Sequence, residues 1–320
     1  MALDGAADPA SFLACNHLSM TTRPTASDFN SPSNEEQRET ATRLWESQFP
    51  GLDTLREMLV GPYMRIDPTS SLGLDARYLG SWGGGSLQQS ALVASHSALT
   101  TARTVLETGS LPTTGLYPLF RTAVESASLA IYLVSPVSRD VRLERLYRIA
   151  AEESRLRKNH HLEFHSPHAY AIHEETLADL RTLIALRPSL GEPDALLVRA
   201  ASNSEIVKQA GIVIAAHPST TNDARAPLLS IWQALSGLSH AKHWAMLQYL
   251  SRSGAVLDGS PNRATVEMSS DAATIAYMMN QSAEALEVAL RLYGERSSAT
   301  HALAEDALEP RPDRSEHGVD

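Results

Sequence analysis

The sequence predicts an all-α fold, an antiparallel helical bundle carrying one small β-hairpin near the C-terminus. Three observations predict it. Apolar residues recur at helical spacing through most of residues 34–297. Proline and glycine punctuate that body at intervals of about one helix. Only around residues 255–268 do two short β-favouring runs flank a Gly/Pro/Asn loop.

Each element follows from local signals. A first helix is expected from about residue 34 to 49, opened by Ser33 or Asn34 with an acidic first turn and stopped by Pro50-Gly51. Residues 61–84 read as loop. A long helix follows over about 86–108 and ends at Gly109. The next starts at Tyr117-Pro118, since proline suits a first turn, and ends before Pro136. Ser138 caps a charged helix to about 164. Helices over 169–186 and 193–209 come next, with a brief strand or turn at 211–214. A continuous helix is expected over 223–251, then the hairpin. A last helix, capped by Ser269 or Ser270, runs to Tyr293 and stops at Gly294. Residues 1–33 and 298–320 lack apolar periodicity and are expected to be disordered tails, the second acidic. The body between them reads as one domain, with its core over about 85–295.

Composition narrows the function classes. With 27 basic and 37 acidic side chains the net charge is −10, and such a field repels nucleic-acid backbones, which disfavours RNA or DNA as a partner. The one cysteine, Cys15, excludes a disulfide framework within the chain and any cysteine-based zinc cage. The longest apolar runs are far shorter than the roughly 20 residues a membrane helix needs, and the first residues carry Asp4 and Asp8 without a basic start. The expectation is a cytoplasmic protein without membrane association. Oligomeric state is left open. No GxxxxGK[ST], strand–GxGxxG–helix or GxSxG pattern occurs.

The sharpest signal is missing charge. Between Ser110 and Ser138 only Arg121 and Glu125 are charged, and with Ser128 and Tyr132 they share an arc of about 60° on a helix that is otherwise apolar. Burying one ion without its partner is costly, so the two should be paired or face a wet cavity. Between Ala226 and Ser251 only Lys242 is charged, while Gln233, Ser236, His240 and His243 share an arc of roughly 80°. His240 and His243 form an i, i+3 pair able to do acid–base work or bind a metal. If the two stripes face each other, Glu125 orients a ring nitrogen of His240 and Arg121 offers an anion-binding fork. The plainer account is a set of buried polar groups that only fix helix register.

Two further clusters are ambiguous. Residues 139–158 hold seven basic and four acidic side chains, with arginines at 139, 142, 145 and 148 drifting around the helix. That pattern suits a salt-bridged surface or, alternatively, phosphate binding. Five histidines lie at His160, His161, His165, His168 and His173, and His161 with His165 could hold a metal from one helix face. A polar surface turn broken at Pro167 is the favoured account of them, and no metal site is assigned.

The run from Phe120 to Ala127, continuing to Leu133, then Arg142 and Arg145, resembles a helical family of uncharacterised bacterial proteins with an R-x3-E helix. A later Ser-x-x-Ser-His segment, here Ser236–His240, belongs to the same pattern. More distantly the chain is similar to HEPN-type bundles, some of which are RNases of defence and toxin systems, and their R-x4-6-H motif has a formal counterpart at Arg155 and His160. The resemblance implies a defence or stress context.

The sequence therefore points to a polar interior that binds a small anionic or phosphate-bearing ligand. Arg121, Glu125 and His240 are its candidate catalytic centre. Ser236, Ser239 and His243 are ligand-binding candidates, with Arg142 and Arg145 at the rim. The alternatives are a non-catalytic interaction or scaffold protein and an RNase of the HEPN kind. The cofactor is left open.

Overall fold

A computed structural model describes residues 35–61, 64–79, 86–108, 111–163, 168–218, 227–257 and 264–299. The tail assignments, 1–33 and 298–320, lie outside the described residues except at Ser298 and Ala299, where Ser298 caps the end of the last helix. Eleven α-helices and one two-stranded antiparallel sheet make up the described fold, so the protein is all-α with one hairpin.

The core is organised around α4 (Tyr117–Val134), which packs on α3 (Ser86–Glu107), α8 (Asn203–Ala216), α9 (Leu228–Ser239) and α11 (Ala272–Ser297). Its charge-poor sequence explains that position. Phe120, Val124, Ile131 and Leu133 are wholly buried, and Ala123, Ala127 and Ala130 between them let the neighbouring helices approach closely. A second apolar cluster joins the end of α4 to α5 (Arg139–Glu163) and α6 (Ala169–Ala185) through Leu133, Leu143, Tyr147, Leu180 and Ile184. Among the described residues no helix is long and apolar enough to cross a membrane.

Several expected boundaries move, each for a tertiary reason. Helix α1 (Glu35–Val60) runs straight through Pro50 instead of stopping there. The lost backbone hydrogen bond is outweighed because Trp45, Leu52 and Leu55, on both sides of the proline, are buried in the core. The stretch expected as loop contains α2 (Ser71–Ala76), whose start is capped by Ser70 accepting from the Gly73 N–H at 3.0 Å. Residues 193–209 are not one helix. A single turn, α7 (Pro193–Leu196), precedes α8, and α8 absorbs the 211–214 run expected as a strand. At Gly211 the side chain of Leu228 from α9 comes close enough that a Cβ would lie 3.1 Å from it.

The largest departure lies in the segment expected as one helix over 223–251. Here α9 ends at Ser239, His240 and the positive-φ Ala241 (φ 50°) turn the chain, and α10 (His243–Tyr249) folds back against α9. Gly237 makes the fold-back feasible, because a Cβ there would sit 2.6 Å from the Ala245 Cβ and 2.8 Å from Trp244. Strands β1 (Leu250–Leu257) and β2 (Ala264–Ser270) then pair antiparallel from Leu250 opposite Ser270, with an irregularity between Ser253 and Val256. Asp271, not a preceding serine, caps α11 by accepting from the Thr274 N–H at 2.7 Å, and α11 passes Gly294 to reach Ser297.

Buried histidines make this fold acid-sensitive. Burial lowers the pKa of His173, whose Nδ1 shares a 2.9 Å hydrogen bond with the buried Ser154 hydroxyl, and that of His96, whose Nε2 donates to the Leu52 carbonyl. Each folded-state value lies below the unfolded one near 6.5, so below that value the unfolded chain binds more protons than the folded one. Stability should fall as pH drops from 7.5 to 5.5 and level off below the folded-state values. Urea titrations across that range check this, and His173→Gln should flatten the profile.

Candidate functional site

Arg121 and Glu125 lie one turn apart on α4, half-buried at 24% and 26% side-chain exposure. The Arg121 Nε donates to Glu125 Oε1 at 3.0 Å, and the same carboxylate oxygen accepts the Trp232 indole N–H from α9 at 2.8 Å. The guanidinium also stands 6.0 Å from the Trp232 ring. Its Nη1 lies 2.7 Å from His240 Nε2. A guanidinium can only donate, so this Nε2 accepts and the ring proton resides on Nδ1. The structure thus brings Arg121, Glu125 and His240 into one chain of contacts, closed by Trp232.

That chain differs from the expected one in three ways. His240 is exposed, because α9 ends just before it and carries the ring to the helix mouth. Arg121 contacts its imidazole, whereas Glu125 is engaged by Arg121 and Trp232. His243 opens a different helix, α10, and is exposed, so the i, i+3 pair of imidazoles on one helical face is broken. Ser236 is half-buried, and the Ser239 hydroxyl is spent on the Leu235 carbonyl at 2.7 Å.

Arg142 is corrected outright. It is fully buried, not at a rim, and forms a two-pronged pair with Asp75 of α2, Nε to Oδ2 at 2.7 Å and Nη2 to Oδ1 at 3.1 Å. Its Nη1 closes on the Pro136 and Val137 carbonyls, and Arg139 adds a 3.2 Å contact to Asp75. This is a buried tie between α2 and the turn from α4 into α5. Asp75 carried no sequence signal, standing in a stretch that reads as loop.

Arg145 lies at a cavity. Its Nη1 donates to the Tyr132 carbonyl at 2.6 Å and its Nη2 to Gln209 Oε1 at 2.8 Å, while the guanidinium stacks 4.0 Å from the Tyr132 ring. Burial lowers its affinity for the proton. The cavity, of about 460 Å³, is lined by Tyr132, Glu144, Arg145, Arg148, Arg199 and Ala200 among others. Arg148 reaches Glu144 at 2.9 Å and the Arg199 carbonyl at 3.2 Å, and its Nε–H is buried without an acceptor. Arg148 belongs to the arginine stripe visible in the sequence. Arg199 and Gln209 had no sequence signal.

A larger groove of about 740 Å³ adjoins this cavity, sharing Arg199, Ala200 and Ala201 with it. Glu125 lies on its wall, with Leu129, Ile149, Ile206 and Val207. The Arg121–Glu125–His240 chain therefore meets the groove through Glu125.

The remaining sequence candidates lie elsewhere. Arg155 pairs with Glu152 on the exposed side of α5, and His160 meets His161 edge-on at 6.1 Å between ring centres. His168 sits at the start of α6, His173 is buried against Ser154, and His165 lies outside the described residues. Among the described residues no group of three or more His, Cys, Asp or Glu side chains is placed to hold a metal. Compared with protein-family models, curated proteins and solved structures, the chain matches none.

Proposed function

We propose that this protein binds a small phosphate-bearing anion in the arginine-lined cavity between α4, α5 and residues 199–201. One observation carries the reading. Arg145 is a partly buried cation whose hydrogen bonds all go to uncharged acceptors, and it borders open volume alongside Arg148 and Arg199. The only carboxylate lining that cavity, Glu144, is already engaged by Arg148. A partly buried charge that shares its nearest carboxylate with a second arginine is under-compensated, and an entering anion offsets that cost. Guanidinium forks match phosphate oxygens in pairs. The volume lies within the ordinary range for small-molecule sites.

The test is a titration with inorganic phosphate and pyrophosphate at low ionic strength, read by calorimetry and thermal shift. Saturable binding is expected. Arg199→Gln, at an exposed side chain without a hydrogen bond of its own, should weaken it about tenfold, the loss of one charge-assisted contact of roughly 1.5 kcal/mol. An equal response to sodium chloride at matched ionic strength overturns the reading.

A second placement of the anion is favoured by the 2.7 Å contact of Arg121 with His240, whose guanidinium is one-quarter exposed. There an arriving anion would take the Arg121 donors and release His240 Nε2 for proton transfer. Arg121→Gln separates the two placements. Binding lost in that variant but kept in Arg199→Gln assigns the anion to the α4–α9 pair.

A further inference from the structure

The cavity and the groove adjoin, with Arg199, Ala200 and Ala201 in both linings, yet the linings differ in kind. The cavity end is cationic. The groove has an apolar floor of Leu129, Ile149, Ile206 and Val207, and its rim exposes Leu156 at 53% and Val198 at 78%. Large side chains left that open beside a concave apolar surface are what an apolar occupant would cover. The groove also carries Glu125, Glu152 and Glu153, with Arg155 and Arg199 as its cations. Glu125 is held by Arg121 and Trp232, and Glu152 by Arg155, but none of the three would welcome a second anionic group.

From this division we infer that the ligand is an amphipathic phosphomonoester, with its phosphate among Arg145, Arg148 and Arg199 and an uncharged alkyl or aryl body along the groove. The inference rests on the proposed function for its anionic end and adds the chemical class of the remainder. Apolar contact sets the affinity, because each methylene buried is worth about 0.8 kcal/mol, a factor of roughly four.

The experiment compares hexyl phosphate, kept below its micelle concentration, with inorganic phosphate on the full chain. Hexyl phosphate should bind at least ~10-fold tighter, as burial of only two methylenes would give. The rim variant Leu156→Ser/Val198→Ser should bring that ratio down to about threefold or less without changing phosphate affinity. Arg199→Gln should weaken both ligands by the same factor. Equal affinity of wild type for the two ligands overturns the inference and leaves the anion site standing. Absence of binding by either removes both. A ratio unchanged by the rim variant also overturns the inference, since the apolar body then lies elsewhere. Sedimentation of the protein with vesicles containing phosphatidic acid, in place of hexyl phosphate binding, would assign the phosphate to a lipid surface and overturn a soluble ligand.

Discussion

Asp75→Ala should cost the fold about 3–5 kcal/mol, the largest effect expected of any single substitution here. Asp75 is 1% exposed and Arg142 is wholly buried, so removing the carboxylate takes from a guanidinium in the interior the counter-charge that faces two of its nitrogens. Arg139 loses its 3.2 Å contact with Asp75 in the same step, but it lies nearer the surface. Arg296 adds to the strain, since its charge already opposes that of Arg142. Urea unfolding of the variant measures the loss. The double variant Asp75→Ala/Arg142→Met should recover part of it, because a neutral side chain of similar length needs no counter-charge. An unfolding midpoint for Asp75→Ala equal to that of wild type would show that this tie does not hold α2 to the bundle.

Gly73→Ala should cost about 2–3 kcal/mol, although it adds a single methyl group to a helix that alanine ordinarily favours. A Cβ at residue 73 would lie 2.1 Å from the Asp67 carbonyl oxygen and 2.8 Å from two backbone atoms of Pro68. Those neighbours are main chain and cannot swing aside, so either the 67–70 turn or α2 must shift. The turn is itself fixed, with the Asp67 carboxylate accepting from the Thr69 N–H and the Ser70 hydroxyl donating to the Asp67 carbonyl. A shift of α2 also draws Asp75 away from Arg142, so the two effects should be less than additive in the Gly73→Ala/Asp75→Ala double variant. Thermal unfolding of the four proteins in that cycle checks both statements. A Gly73→Ala variant as stable as wild type would mean that the turn relaxes without cost.

The arginine cavity itself is less exposed to such losses. Arg199 is on the surface and its side chain makes no hydrogen bond among the described residues, which is why it serves as the probe of binding rather than of folding. Arg145, by contrast, bridges the end of α4 to α8 through the Tyr132 carbonyl and Gln209, so its removal would confound the two.

The sequence by itself determined the helical class, the hairpin and the burial of the 117–134 helix, because a segment with two charges in nearly thirty residues has nowhere to go but inside. It also showed the arc of Arg121 and Glu125, since residues four apart on a helix share a face whatever surrounds them. Tertiary structure alone decided the rest. The bend after Ser239 depends on Gly237 being bare where Ala245 and Trp244 press against it, and it is this bend that sends His240 outward and parts it from His243. Likewise Arg142 and Arg145 stand three residues apart in one arginine stripe, yet one is sealed against Asp75 and the other borders open volume. Nothing local distinguishes them. A guanidinium's role is set by which distant acceptor the packing delivers, and that partner is chosen by how whole helices fit together rather than by the residues beside it.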